Sequence, residues 1–340
     1  MNLLKISIGI PFTIWNELVE ECVEGCLKLH YENFVIVLVP NSGENIPEKY
    51  ENNSRIVISP TKVSDIAVKR NAAIRAVPAQ YYACIDSDAY PESSWLVNAL
   101  VAFNKSPDIW AVGGPNLSPD YKSLRKKAVA NALKSFLVTG PRRFTKRLSA
   151  PRYVFDLQTC NLIFKREAID NLNGFDECFK TGEDTDICER LVRQGKNIYF
   201  SPLVVVFHHN RSLFSPFIKQ KIVFGYAVIP VVMRSFNIKR TFFFLPALFL
   251  AFLLLGWITG VFVSWFFSIW IRVVLLFVAV VTIEATRWSQ KLSEIPLTFL
   301  AIIIGNLAPG LGTLMNLLRI PINFRKFYVN YNRPKYSNPI

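Results

Sequence analysis

From Thr241 to Leu318 the chain is almost without charge, and this run constrains the fold more than any other feature. Thr241–Val263 carries no charged residue, Ser264–Ile283 carries only Arg272, and Ile295–Leu318 again carries none. Each approaches the roughly 20 residues that a helix needs to cross a hydrocarbon core. Buried helices of soluble proteins rarely run this long without a polar face. The segments therefore read as about three membrane-spanning helices in a transmembrane region over 241–318. The apolar excess is local: 51% of the chain is hydrophobic, yet residues 1–212 mix charged and apolar side chains as a globular domain does.

The net charge of +14 is placed with respect to those spans. Lys219, Lys221, Arg234, Lys239 and Arg240 precede the first span, and Arg287 and Lys291 lie between the second and third. Arg319, Arg325, Lys326, Arg333 and Lys335 lie in a basic tail, 319–340. Basic residues beside spans favour the cytosolic face and anionic headgroups. They match no nucleic-acid motif, so the expected partners are membrane lipids and not nucleic acid. Met1–Pro11 is too short and too strand-like for an export signal. The six cysteines are scattered without a CxxC pair and read as reduced thiols. Both observations place the first 240 residues on the cytoplasmic face.

One conflict follows. Three crossings from a cytosolic start would carry the basic tail outside, against the positive-inside rule. Gly305-Asn306, Pro309-Gly310 and Gly312 are helix breakers that suit a re-entrant or broken third segment; the alternative is a genuine exception to the rule. Residues 213–240 interleave lysines with Leu213-Phe214, Phe217-Ile218 and Ile222-Val223-Phe224, and read as an interfacial amphipathic segment.

Within 1–212, short apolar runs alternate with helical stretches. Strands are expected at Ile6–Ile10, Phe34–Val39, Arg55–Ser59 and Tyr81–Ile85, and helices around Asn16–Leu29 and Ser64–Ala76. This alternation predicts an α/β layer structure with a mostly parallel central sheet. Ligands of such sheets sit at the carboxyl ends of the strands. Residues 117–152 carry Arg125, Lys126, Lys127, Arg142, Arg143, Lys146 and Arg147 around Gly140-Pro141. They read as an amphipathic helix followed by a loop, either a solvated face or a lid that meets phosphates.

Three clusters fall at strand ends. Tyr81–Ile85 runs into Asp86-Ser87-Asp88, and two carboxylates crowded at the end of a buried strand repel unless a cation sits between them. A hard divalent ion such as Mn2+ or Mg2+ prefers these oxygens. Gly182-Glu183-Asp184-Thr185-Asp186 opens a helix. Helix capping explains one acid there, and three in four positions leave one to act as a general base. Val204–Phe207 ends in His208-His209, two of the three histidines, and one of them is a candidate metal ligand.

In order and spacing, Ile8–Pro11, Lys69-Arg70-Asn71, Asp86-Ser87-Asp88, Gly174-Phe175-Asp176, Gly182-Glu183-Asp184 and His208 resemble the inverting nucleotide-sugar glycosyltransferases of family 2. The resemblance covers about residues 5–212. It implies a nucleotide-diphospho-sugar transferase (type A glycosyltransferase) fold. It makes Asp88 a ligand of the metal that bridges the donor's phosphates, and puts Asp86 near that metal or the donor ribose. Asp184 becomes the catalytic base with Glu183 beside it, and His208 completes the metal shell, with His209 able to exchange for it. Arg70 resembles a donor-contacting basic residue, and Pro11 lies under the nucleotide.

The chain departs from the family at one turn. Where an Asp-Asp-Gly-Ser-like sequence usually reads the nucleobase, it has Pro40-Asn41-Ser42-Gly43. Asn41 then faces the donor, and Glu44 or Asp65 stands in for the acid.

The expected activity is transfer of a sugar from a UDP- or GDP-sugar to a hydroxyl or phosphate acceptor, lipid-linked or glycan, at the membrane. One rival is a processive polysaccharide synthase, disfavoured because Gln220 is followed by Lys221-Ile222-Val223-Phe224 and no Arg-Trp. Another is a polyprenyl-phosphate sugar synthase, in which Arg272 would pair with a lipid phosphate; Arg272 has snorkelling or Glu284 as its other options. A third is a non-catalytic nucleotide-binding membrane scaffold, which the intact carboxylate clusters oppose.

Overall fold

The computed structural model describes residues 5–139, 150–179, 181–234, 238–321, 323–324 and 327–328. The expected loop at Gly140-Pro141 with Arg142, Arg143, Lys146 and Arg147 lies outside these residues, as do Arg325, Lys326, Arg333 and Lys335 of the tail. The chain divides into two units. The first holds the described residues up to Pro119 and from 150 to His209; the second holds Asp120 to 139 and those from Asn210 onward.

In chain order the strands are β1 (Ile6–Pro11), β2 (Phe34–Val39), β3 (Ile56–Ile58), β4 (Tyr81–Cys84), β5 (Ala89–Pro91), β6 (Ile109–Gly113), β7 (Asn116–Leu117), β8 (Arg152–Val154), β9 (Leu162–Lys165), β10 (Asn197–Phe200) and β11 (Val206–His208). The helices are α1 (Glu17–Leu27), α2 (Glu48–Glu51), α3 (Ile66–Ala76), α4 (Trp95–Phe103), α5 (Leu124–Lys134), α6 (Phe136–Thr139), α7 (Arg166–Asn171), α8 (Glu183–Arg193), α9 (Ser215–Arg234), α10 (Leu245–Phe262), α11 (Ser264–Trp288) and α12 (Ile295–Leu317).

The first unit is built on a sheet of order β3-β2-β1-β4-β9-β6-β10-β8. β1 is buried along its whole length because both of its faces are covered, which is why its sequence is an unbroken apolar run rather than an alternating one. It pairs in parallel with β2, Ile6 opposite Phe34, and with β4, Ile6 opposite Tyr81. β9 reverses the direction between β4 and β6, and β8 does so at the edge beside β10. α1 begins where the Asn16 side chain accepts hydrogen bonds from the Leu18 and Val19 N–H groups. These elements match the strands and helices that the apolar alternation predicts.

A small second sheet, β5-β11-β7, stands at the end of β4. β11 runs antiparallel to β5, with His208 opposite Ala89. Asn161 holds the approach to it. This residue is 1% exposed; its amide donates to the Pro115 and Val204 carbonyls at 3.2 and 2.9 Å and accepts the Trp95 indole N–H at 2.8 Å.

In the second unit, residues 241–262 and 264–288 form two long apolar helices as expected. The segment 213–240, expected to be interfacial, contains a helix that is also long and apolar enough to cross a membrane, so four helices among the described residues meet that criterion. The expectation that Gly305, Pro309, Gly310 and Gly312 break the third segment is overturned: α12 runs unbroken through Pro309. Its glycines serve close packing instead. A Cβ on Gly312 would lie 2.0 Å from the Ile222 carbonyl oxygen, and one on Gly225 1.8 Å from that of Pro309. Thr313 donates to the Gly225 carbonyl at 2.9 Å, and Asn316 to that of Tyr226 at 2.8 Å. Small residues that admit a neighbouring backbone, with polar side chains bridging, are how apolar helices associate where no hydrophobic force drives them together. The suggested Arg272–Glu284 pair is absent: Glu284 accepts the Phe136 N–H and the Trp288 indole, both at 3.1 Å.

Asn161→Ala leaves an indole N–H and two carbonyls buried without their partner. The expected loss is about 2–4 kcal/mol, since each orphaned buried group costs roughly 1–3 kcal/mol. Thermal unfolding in detergent, with a control substitution on an exposed face, measures it.

Candidate active site

β1 and β4 pair in parallel, so their carboxyl ends lie side by side, and α3 supplies the cation that organises the groups beyond them. Arg70 is 3% exposed and bridges two acids: Nη2 lies 2.8 Å from Asp86 Oδ1, and Nη1 lies 2.5 Å from Glu183 Oε1. Burial opposes the guanidinium's charge, but Asp86 and then Glu183 outweigh it and hold its pKa above the ordinary arginine range. Its plane also lies over the Phe175 ring, 5.5 Å from the centroid. Next to it, the Asn71 amide donates to the Phe175 carbonyl and accepts the Phe175 N–H, both at 2.8 Å. One turn of α3 thus ties the first acidic cluster to the second, whose Glu183 lies 113 residues beyond Arg70 in sequence. The structure engages Arg70 within the protein, whereas the sequence resemblance assigns it to the donor.

Asp86 lies in the turn after β4, where its carbonyl accepts the Ala89 N–H at 3.0 Å. That turn leads directly into β5. Because β11 pairs antiparallel with β5, His208 returns beside Asp88, its Nε2 3.1 Å from Asp88 Oδ1. Asp86, Asp88 and His208 each offer a ligand atom within 4.8 Å of the others, and all three are half-buried. Two carboxylate oxygens and an imidazole nitrogen suit Mn2+ or Mg2+. The other histidine turns elsewhere: His209 Nε2 lies 2.6 Å from Glu21 Oε2 on α1, while its backbone N–H donates to the Asp88 carbonyl at 2.9 Å.

Gly182 takes a left-handed φ of 93° and starts α8, which presents Glu183, Asp184 and Asp186 in its first turn. Asp186 pairs with Arg190 at 2.8 Å and is a structural member of the helix. Asp184 is different. Burial first, and then the charge of Glu183, push its pKa up to about 7, against the opposing pull of Arg70. A carboxylate that titrates near neutrality is suited to take a proton. The buried Asp156 adds to the negative potential there.

The remaining predicted residues lie around the ends of β1 and β2. Pro11 ends β1 and is buried. Asn41 follows β2, bridges to Thr61 and exchanges hydrogen bonds with Ser64 at 3.0 and 3.3 Å. Asp65 stands at the start of α3, half-exposed. Glu44 accepts the Trp15 N–H at 2.7 Å. Sequence reasoning gave no role to Lys69, Glu21 or Asp156. Lys69 is 1% exposed and donates to the Phe12 and Val39 carbonyls at 2.8 and 3.1 Å, so it clamps the ends of β1 and β2 together. Burial lowers its pKa to about 8. Glu21 and Asp156 carry no local signal, and Lys69 enters the sequence reading only within the Lys69-Arg70-Asn71 match, because each acts on a partner far away in the chain.

The sequence model of the family described as glycosyl transferase family group 2 matches residues 83–304, more than half of the chain. A pre-mycofactocin glycosyltransferase of Mycobacterium tuberculosis is 29% identical over 169 residues, 49% of this chain and 35% of that relative. The chain thus matches about a third of that protein's length. A dolichyl N-acetyl-alpha-D-glucosaminyl phosphate 3-beta-D-2,3-diacetamido-2,3-dideoxy-beta-D-glucuronosyltransferase of Methanococcus voltae is 24% identical over 275 residues, 75% of this chain and 82% of the relative. Among solved structures, a mannosyltransferase from Pyrobaculum calidifontis in complex with GDP-Man and Mn2+ superposes with a TM-score of 0.58 at 14% identity, over 93% of this chain and 88% of that one. GalNAc-T7 with UDP, GalNAc and Mn2+ gives 0.52 at 16% identity, over 72% and 50%. At these identities the two structures establish the fold, which is the type A fold that the sequence motifs imply.

Arg70→Met leaves Glu183 and Asp86 facing each other without their cation. The expected cost is about 3–5 kcal/mol, the range for breaking a buried ion pair from one side. Urea unfolding reads it. Arg70→Lys keeps the charge without the fork and should recover part of the loss.

Proposed function

Since the chain belongs to glycosyl transferase family group 2, we propose that it is an inverting, metal-dependent glycosyltransferase that takes its sugar from a nucleoside diphosphate donor at a membrane. The observation that carries this reading is the joining of two carboxylate sets through Arg70: a metal-capable trio on one side, and an acid with a pKa near 7 on the other.

The residues present fit a divalent ion, and Asp86, Asp88 and His208 would hold it. When bound, it supplies positive charge against the two phosphates of the leaving nucleotide. Asp184 accepts the proton of the acceptor hydroxyl. The freed oxygen attacks the anomeric carbon as the bond from that carbon to the phosphate oxygen breaks, and the configuration inverts. The electron pair of the broken bond leaves with the nucleoside diphosphate. Glu183 and Arg70 act as positioning residues that hold Asp184 and Asp86 at their stations. Pro11, Asn41 and Asp65 border the donor's nucleoside. The chain lacks the usual acidic base-reading turn at Asn41, and both UDP- and GDP-sugars suit the site.

For the acceptor, we favour a lipid-linked sugar. The Methanococcus voltae relative, of which the chain covers 82%, is named for transfer to a dolichyl phosphate sugar, and four apolar helices follow the site in this chain. The catalytic unit would then work on the cytoplasmic face, where nucleotide sugars are made.

Asp184→Asn should bind the donor with unchanged affinity and lose transfer by several orders of magnitude. Unmutated enzyme should lose activity as pH falls through about 7, since protonated Asp184 cannot accept a proton. Retained transfer in the variant would sink the assignment; loss of donor binding would show a fold defect instead. Asp88→Ala should abolish Mn2+ binding, followed by titrating the ion's electron paramagnetic resonance signal. In the unmutated enzyme, chelation should stop transfer and added Mn2+ restore it.

A further inference from the structure

The four apolar helices are not equivalent. In α10 and α11 only 11% and 6% of the apolar window is buried inside the protein, against 39% in α9 and 44% in α12. α10 and α11 form a hairpin that turns at Val263. A Cβ on Gly256 would meet Trp270, one on Gly260 would meet Phe267, and the rings of Phe249 and Phe277 lie 4.8 Å apart. Its base carries charge, with Lys239 and Arg240 before α10 and Arg287 and Lys291 after α11. Its tip carries none, and ends in exposed aromatics, Phe262 at 82% and Trp265 at 67%.

α12 starts at that base and ends short of the tip. Thr298 accepts the Ser289 hydroxyl at 3.2 Å, just after α11 ends. Twelve residues later, Gly310 packs against the Pro246 carbonyl, still at the beginning of α10. From Gly310 to Leu317 only about 10 Å of helix remains, whereas Pro246 to Phe262 runs about 24 Å to the tip, at about 1.5 Å per residue. The first half of α12 also packs on α5 and α6: Val138 fills the space at Gly305, and the buried Glu294 accepts the Asn131 amide at 3.1 Å. α5 carries Arg125, Lys126, Lys127 and Lys134, a composition that keeps it out of hydrocarbon. α9 carries Lys219 and Lys221 in its first turns, crosses α12 at Gly225 and leads back to the start of α10.

We propose that α10–α11 alone crosses the bilayer, as one hairpin, and that α9 and α12 lie on its cytosolic side without crossing. This topology does not depend on the reaction. It places the basic flanks at Lys219, Arg240, Arg287, Lys291 and Arg319, and the tail, on one face. It thereby removes the conflict that three crossings create with the positive-inside rule. The uncharged tip with its aromatic residues reaches the far interface, where such rings settle. Arg272, on the exposed side of α11 and about 12 Å from the tip at about 1.5 Å per residue, extends toward the far headgroups.

The test uses the full chain in intact bacterial cells and a membrane-impermeant maleimide, with Cys178→Ser removing the exposed native thiol. Ser264→Cys should be labelled in intact cells, and Gln290→Cys only after lysis. A green fluorescent protein fused to the C-terminus of the otherwise unsubstituted chain should fluoresce. Labelling of Gln290→Cys in intact cells would mean that α9 crosses. A dark C-terminal fusion, with an active alkaline phosphatase fusion at the same point, would mean that α12 crosses. Failure of Ser264→Cys to label on either side would leave the tip inside the bilayer. Each of these three results overturns the proposal.

Discussion

A single buried guanidinium decides the geometry of the candidate site. Asp86, Asp88, Glu183 and Asp184 come from two distant segments, and four partly buried carboxylates brought near one another repel. Arg70 answers two of them with separate nitrogens of one planar fork, which a lysine could not do. It leaves Asp88 facing His208, while its pull on Asp184 is outweighed by burial and by the charge of Glu183. The charged groups are therefore sorted: one pair neutralised, one set open to a cation, and one acid raised toward neutral pH.

The second constraint is backbone register. Antiparallel pairing of β11 with β5 fixes His208 opposite Ala89, one residue past Asp88. Since strand residues alternate faces, a slip of one position would exchange His208 for His209. The contact of His209 with Glu21 on α1 opposes that slip, because it needs His209 on its present side. The metal-capable trio is thus set by a sheet and held by a helix on its flank.

In the second unit packing again overrides local preference. α12 contains residues that stop a helix in water, yet it runs unbroken, because the space its glycines leave is filled by neighbours: Val138 at Gly305, the Pro246 carbonyl at Gly310 and the Ile222 carbonyl at Gly312. Helix propensity yields to packing wherever a neighbour covers the exposed backbone. The density of such contacts separates α9 and α12 from α10 and α11, whose surfaces meet little of the protein.

The sequence by itself determined the α/β order of the first unit, the strands that lead to Asp86 and His208, the acidic start of α8 and the apolar character of residues 241–318. All of these are local: they follow from periodicity, from turn and cap chemistry, or from charge along one segment. Tertiary structure alone decided that Arg70 serves Asp86 and Glu183, that His208 rather than His209 meets Asp88, that Lys69 clamps two strand ends, and that the glycines of α12 pack instead of break. Each of these depends on which distant groups share a low-dielectric space or a close contact. Spacing along the chain carries no record of that, because the partner's position is set by the sheet order and not by either residue's neighbours.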